Sequence, residues 1–305
     1  MELLQELLNK VLPLYGFILI GFFAKKRWQL GSKWISKILL YLLIPLLIIE
    51  NMLQAELSES AVVGSIIFVL ALAMNIPAII CKRFVAKDFN GSLLKGSFSY
   101  YNIGWFGIPV VMALFGNEQM PLIISAYVGN VFYGDTIGYY LISRTKGLPV
   151  KEAAKNVFRI PALYACVIAV LLNLFSVNLP QRAELIGDVV GWTVSASGMF
   201  IIGLTLADIN FQQIRLWNFA KILGLRYISG AVLLVLLLCL EKQFMQILDD
   251  DKSKLMGLIA SFPIAANLVV FASFLETEKK NSALLVGISS IISLVLVPIL
   301  CLLLF

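Results

Sequence analysis

The sequence predicts an all-α integral membrane protein: ten transmembrane helices arranged as two inverted five-helix repeats, with the fourth and ninth helices broken and crossed. Three observations carry this reading. Hydrophobic residues make up 60% of the 305 and charged ones only 14%, and the mean hydropathy of +0.92 is far from the balance of a soluble domain. The apolar residues fall into windows of about 20, the length that crosses ~30 Å of hydrocarbon at about 1.5 Å per residue. The connections between these windows alternate in charge, as expected of a chain that crosses a membrane repeatedly.

Taken in order, the windows run 3–24, 34–53, 61–81, 93–115, 120–143, 158–176, 185–207, 218–240, 255–275 and 282–305. The first follows Glu2 and Glu6 instead of a basic segment and shows no small-residue cleavage site, so it reads as a retained helix. Single prolines in the first, second and tenth windows, Pro13, Pro45 and Pro298, read as packing kinks. The stretch SFSYYNIGWFGIPVVMALFG, from Ser97 to Gly116, covers most of the fourth window, and the ninth contains SFPIAANLVVFASFL; both are interrupted near their middles. The fifth contains Asp135, a carboxylate well inside an apolar window. The connections after the odd windows, including the set Arg215, Lys221 and Arg226 before the eighth span, hold 19 of the 24 basic residues. The positive-inside rule makes that side cytoplasmic, which leaves both termini extracytoplasmic and requires an even number of spans. Asp249–Asp251 then reads as a solvated external loop.

The longest connection divides the chain into a first five-helix repeat, 1–143, a cytoplasmic connection, 144–157, and a second repeat, 158–305. Both repeats open alike, with VLPLYGFILIGFF around Pro13 and RIPALYACVIAVLL around Pro161. The breaks recur as well, with Pro109 in the first half and Pro263 in the second. An odd number of spans per repeat makes the second copy enter from the opposite side, the inverted architecture of many secondary transporters.

Several function classes are excluded. Histidine is absent, which removes His-based metal centres, Ser-His-Asp triads and histidine proton relays. The four cysteines have no short pairing, so neither a disulfide framework nor a metal site is expected. The net charge of +6 sits in short clusters between apolar windows, which argues against nucleic acid. No G-x-x-x-x-G-K-[ST] loop occurs, so direct ATP drive is not expected.

The breaks carry the chemistry. Proline removes a backbone donor, and unpartnered backbone groups in hydrocarbon cost several kcal/mol each unless protein or a watery cavity receives them. The clusters Asn102, Gly104, Gly107, Pro109 and Ser261, Pro263, Asn267 therefore face inward. With Pro109 and Pro263 each starting a second half-helix, two positive dipole ends meet at the midplane and form an anion cradle of amides without a cationic side chain. Neither window supplies a Lys or Arg near its break. Asp135 reads either as a coupling-ion site or as a structural carboxylate bonded to a neighbouring hydroxyl such as Tyr139. Asn51, Asn75 and Asn130 read as interhelical hydrogen-bonding residues in preference to the lining of a polar route, and Glu50 and Asp188 as solvated groups near span ends.

NIGWFGIPVVMALFG resembles the Asn-x-Gly-x-x-Gly-x-Pro…Leu-Phe-Gly signature of the fourth helix in the auxin efflux carrier family, whose members include plant PIN-type carriers and bacterial malate or malonate permeases. The resemblance extends over essentially the whole chain. It implies the fold of bile acid/sodium symporters, in which helices 1, 2, 6 and 7 form a scaffold and the other six a moving transport domain. Substrate would sit where helices 4 and 9 cross, at Asn102, Pro109 and Pro263. The short hydrophilic connection between spans five and six departs from the long loop of the plant carriers. The expected function is therefore secondary transport of small organic anions, carboxylates such as malate, across the cell membrane by an elevator-type mechanism, with no enzymatic activity. No cofactor or metal is expected, proton or sodium coupling and a homodimer are compatible with the sequence, and the lipid bilayer is the expected surround. A channel, a non-transporting receptor of the same fold and, less favoured, an intramembrane transferase are the competing readings.

Overall fold

The computed structural model describes residues 12–145, 151, 161–177, 181–207, 216–274 and 276–305. The start of the first window and most of the connection 144–157 lie outside the described residues. Every regular element among those described is helical, apart from one isolated bridge between Tyr101 and Ile264.

The chain opens with α1, Leu12–Trp28, then α2, Lys33–Ile38, which runs through a π-helical turn, Leu39–Leu43, into α3, Ile44–Gln54. α4, Leu57–Ala73, and α5, Asn75–Phe84, follow almost end to end. Next come the interrupted pair α6, Gly91–Ser99, and α7, Ile108–Phe115, separated by a π-helical turn at Ile103–Gly107. α8, Met120–Tyr133, continues through a π-helical turn, Gly134–Gly138, into α9, Tyr139–Arg144. The second half holds α10, Pro161–Leu174, α11, Gln181–Ala207, and α12, Leu216–Phe244. It ends with a second interrupted pair, α13, Asp250–Leu258, and α14, Asn267–Phe274, and with α15, Lys279–Leu304.

This is a membrane protein. Lys33–Leu53, Leu57–Phe84, Gly187–Ala207, Trp217–Phe244 and Lys279–Leu304 are long and apolar enough to cross a bilayer. Large apolar side chains such as Trp34, Phe84, Trp217, Phe244 and Leu303 are exposed, a surface that lipid, unlike water, accepts without cost.

Two kinds of packing hold the helices. α1 lies on α11 and α3 on α10, so each half contributes one partner to each pair. α4 lies on α8 within the first half. Glycine sets the approach in the first and last of these pairs. A Cβ on Gly203 would run into the Ile18 carbonyl, one on Gly21 into the Phe200 carbonyl, and one on Gly129 into Gly64. In lipid, where apolar burial offers little drive, such backbone proximity supplies the dispersion contacts that associate helices. Gly203→Ala is expected to destabilise the fold by about 1–3 kcal/mol through overpacking against main chain that cannot swing away. A lowered thermal midpoint in detergent measures it, with Gly16→Ala, where a Cβ meets nothing within 4 Å, as the neutral comparison.

Both interrupted segments begin with a side-chain cap. Asn90 Oδ1 accepts from the Ser92 and Leu93 amides at 2.9 and 3.3 Å, and Asp249 Oδ1 from the Lys252 amide at 2.7 Å. The acidic run is therefore a helix start as well as a loop: Asp249 caps, while Asp250 and Asp251 pair with Lys242 and Lys254.

Candidate functional site

The two interruptions meet and hydrogen-bond to one another. Asn102 N donates to the Pro263 carbonyl at 2.8 Å, and Ala265 N to the Tyr100 carbonyl at 3.0 Å, so residues 100–102 and 263–265 form a short antiparallel pair. A backbone that leaves the helix inside a membrane protein must find partners, and here nearly all are supplied by named groups. Asn130, on α8, faces the Tyr101 peptide: its Oδ1 accepts from Tyr101 N at 3.2 Å and its Nδ2 donates to Tyr101 O at 2.7 Å. From α15, Ser289 Oγ accepts from Ile264 N at 3.0 Å, and Ser293 Oγ donates to the Ser261 carbonyl at 2.7 Å.

The second half-helices start at different residues from those the sequence predicts. Pro109 lies in the first turn of α7, but a π-helical turn already precedes it after the break in the fourth window. The turn begins at Ile103, with Asn102 as its cap: Asn102 Oδ1 accepts from Trp105 N at 3.2 Å. Gly107 N then bonds to Asn102 O at 3.0 Å, five residues back. Pro109 falls where this wide π spacing gives way to the α ladder, a place where a missing N–H is easily absorbed. Pro263 likewise precedes its half-helix, sitting in the extended stretch, while Asn267 is the first helical residue.

The remaining site residues group around these starts. Gly104 and Gly107 are set by close approach: an added Cβ would lie 2.7 Å from Tyr127 Cε2 at Gly104 and 2.5 Å from Phe262 Cε2 at Gly107. Ser261 is buried and donates to the Leu258 carbonyl at 2.6 Å. Asn267 Nδ2 donates to Tyr100 Oη at 3.0 Å. Tyr100, Asn102, Gly104, Tyr127, Asn130 and Asn267 are among the residues lining a cavity of ≈ 10 Å³, room for about one water. Asn102 is 4% exposed, and its Nδ2 has no hydrogen-bond partner among the described residues. Gly104 and Asn267 lie in first turns, in which Trp105 N is already taken by Asn102 Oδ1 and Leu268 N and Val269 N by the Ala265 and Ala266 carbonyls, leaving the dipole ends themselves facing the cavity. The cavity therefore presents a free side-chain donor beside two helix N-termini, the donor set that an anion takes. Asp135 lies in the π-helical turn Gly134–Gly138, and its side chain is outside the described residues.

A family described as membrane transport protein matches residues 6–157. The chain belongs to this family. It is the auxin efflux carrier family that the stretch after Asn102 resembles. A protein of Methanocaldococcus jannaschii named as an uncharacterized transporter is 22% identical over 306 residues, covering 96% of this chain and 97% of its own. The uncharacterized transporter YfdV of Escherichia coli K12 is 21% identical over 316 residues, covering 97% of each chain. The likeness to these two transporters therefore runs through both halves.

The transporter also contains a charge at the crossing where the sequence predicts none. The charge pattern places Arg226 in a connection; the structure buries it fully within α12. Its Nε donates to the Ser97 carbonyl at 3.0 Å and its Nη1 to the Phe262 carbonyl at 3.1 Å. Counting basic residues by connection hid its position inside the eighth apolar window, where an ionisable group is a functional candidate by default. Ser289 and Ser293 went unread because serines in an apolar helix carry no motif of their own. Asn75 and Asn130 bond across helices, Asn75 Nδ2 reaching Tyr133 Oη at 2.7 Å. Asn51 instead bonds within its own helix, to the Leu47 carbonyl at 2.9 Å. Glu50 and Asp188 help line a polar cavity of ≈ 240 Å³ between α3, α11 and the start of α8, and Asn117 Nδ2 donates to Asp188 Oδ1 at 2.6 Å across it.

Proposed function

We propose that this membrane transporter is a secondary carrier of small organic anions, carboxylates such as malate, which bind at the crossing of the two interrupted helices. The observation that carries the proposal is Asn102: a buried side-chain amide with an unused donor, capping one half-helix and set beside the start of the other. A carboxylate placed there takes the Asn102 donor beside the positive dipole ends of two half-helices, which charge-assisted hydrogen bonding favours. The cavity is too small to hold a carboxylate, so binding requires the surrounding side chains to open, as alternating access demands of a carrier between its loaded states.

In this reading ten spans form two inverted repeats in the cell membrane, with both termini extracytoplasmic. α1, α3, α10 and α11 belong to a static scaffold, and the crossing rides on the remaining helices as an elevator. The reciprocal packing of α1 on α11 and α3 on α10 supports that division. Asp135 is the candidate for coupling a proton or another cation. The test is counterflow of radiolabelled malate into liposomes containing the purified protein, with unlabelled mono- and dicarboxylates as competitors. Saturable, competable exchange is expected; a panel in which no carboxylate exchanges or competes removes the proposal, and unsaturable flux points to a channel.

The elevator step has its own test at the Asn117–Asp188 bond, which joins the two groups of helices. In a variant lacking the free cysteines Cys81, Cys166, Cys239 and Cys301, Asn117→Cys with Asp188→Cys, joined by a reducible thiol cross-linker, is expected to stop exchange until reduced. Full exchange with the link complete means that this interface does not slide.

A further inference from the structure

Arg226 has an unusual set of partners. It is 0% exposed, and among the described residues no carboxylate pairs with it: the recorded ion pairs join Lys242, Lys252 and Lys254 to acidic residues at the helix ends. Its counter-charge is main chain. Ser97 lies in the last turn of α6, and Phe262 ends the short 3-10 turn that continues α13. The guanidinium bonds one carbonyl of each, so it bridges the negative dipole ends of both first half-helices. Aromatic faces complete the cage, with the guanidinium carbon 4.5 Å from the Tyr101 ring centre and 5.3 Å from that of Tyr227. Nη2 has no partner among the described residues.

Where helices are interrupted inside a transporter, amide ends suit an anion and carbonyl ends suit a cation such as sodium or a proton. The carbonyl ends in this chain already hold a cation, covalently attached to the fold, and guanidinium groups do not give up their proton in proteins. We propose that Arg226 is a built-in cation that takes the place of a coupling sodium ion at the crossing, so that the carrier binds and moves its anion without sodium. This rests on the crossing being the transport site, but its decisive measurement needs no transported anion.

The experiment compares full-length wild type, Arg226→Lys and Arg226→Met in detergent, following the melting temperature as sodium chloride replaces choline chloride at constant ionic strength, and as millimolar guanidinium is added. Wild type and Arg226→Lys are expected to be indifferent to sodium. Arg226→Met is expected to melt several degrees lower and to be raised again, saturably, by guanidinium or sodium entering the vacated cage. A residue that only filled space would give a variant unresponsive to either ion. Saturable stabilisation of wild type by sodium overturns the proposal, as does an Arg226→Met protein that ignores both ions. Should Arg226→Met yield no folded protein, the wild-type sodium titration decides alone. Loss of malate exchange in every protein, with these ion responses intact, would count against the anion reading and not against the internal cation.

Discussion

Asn102→Ala is expected to reduce carboxylate binding by about 10- to 150-fold. That range corresponds to the loss of one hydrogen bond to a charged group, about 1.5–3 kcal/mol, at roughly 1.4 kcal/mol per tenfold. The same substitution removes the Oδ1 cap on Trp105 N, worth roughly 0.5–2 kcal/mol of stability, so a binding loss alone would be ambiguous. Asn102→Asp separates the two effects. It keeps an acceptor for Trp105 N but replaces the free Nδ2 donor with a second carboxylate oxygen facing the anion. Binding, read from the concentration dependence of labelled malate exchange, should fall at least as far as in the alanine variant, while the melting temperature stays nearer wild type. Wild-type binding in Asn102→Asp would show that the Nδ2 donor does not touch the substrate.

The second large effect is on the fold itself. Asn130 fills both hydrogen-bonding groups of a peptide that has left the helix. Asn130→Ala leaves Tyr101 N–H buried with no acceptor, a cost of about 1–3 kcal/mol, and removes one of two donors to its carbonyl, about 1 kcal/mol more. Ile103 N still reaches that carbonyl at 2.9 Å, so the total is about 2–4 kcal/mol. Thermal or denaturant unfolding in detergent measures it. Asn130→Asp, which keeps the acceptor and loses the donor, is also expected to destabilise because it buries a carboxylate beside a carbonyl. A change below about 1 kcal/mol for the alanine variant would mean that another group satisfies Tyr101 N.

These two residues mark how far the sequence can be read. The places of the interruptions were legible because Asn, Gly and Pro coincide twice inside apolar windows, and hydrocarbon tolerates that only where protein receives the freed backbone groups. The start of each half-helix was not. Proline is the conspicuous residue, yet helical structure resumes after Asn102 because an asparagine side chain can cap it, and a π turn then leads into α7 with Pro109 in its first turn. What satisfies a break is set by residues far away in sequence: Pro263 for Asn102, Asn130 for Tyr101, Ser289 for Ile264. No local pattern encodes such pairs. Arg226 shows the opposite failure, where a rule for orientation absorbed a residue whose position within its apolar window already marked it.

The pairing of Tyr100 and Asn102 with residues 263–265 also bears on how the protein is made. While the ribosome is still working on the second half, the α6–α7 segment has left the exit tunnel with an unwound centre, and its partners between α13 and α14 do not yet exist. Tyr100 O and Asn102 N must be sheltered by water, by the insertion machinery or by a temporary helical conformation until more than 160 further residues have been added. A chain stopped after α9 is therefore expected to be cleared by membrane proteases, and co-expression of the missing half to rescue it.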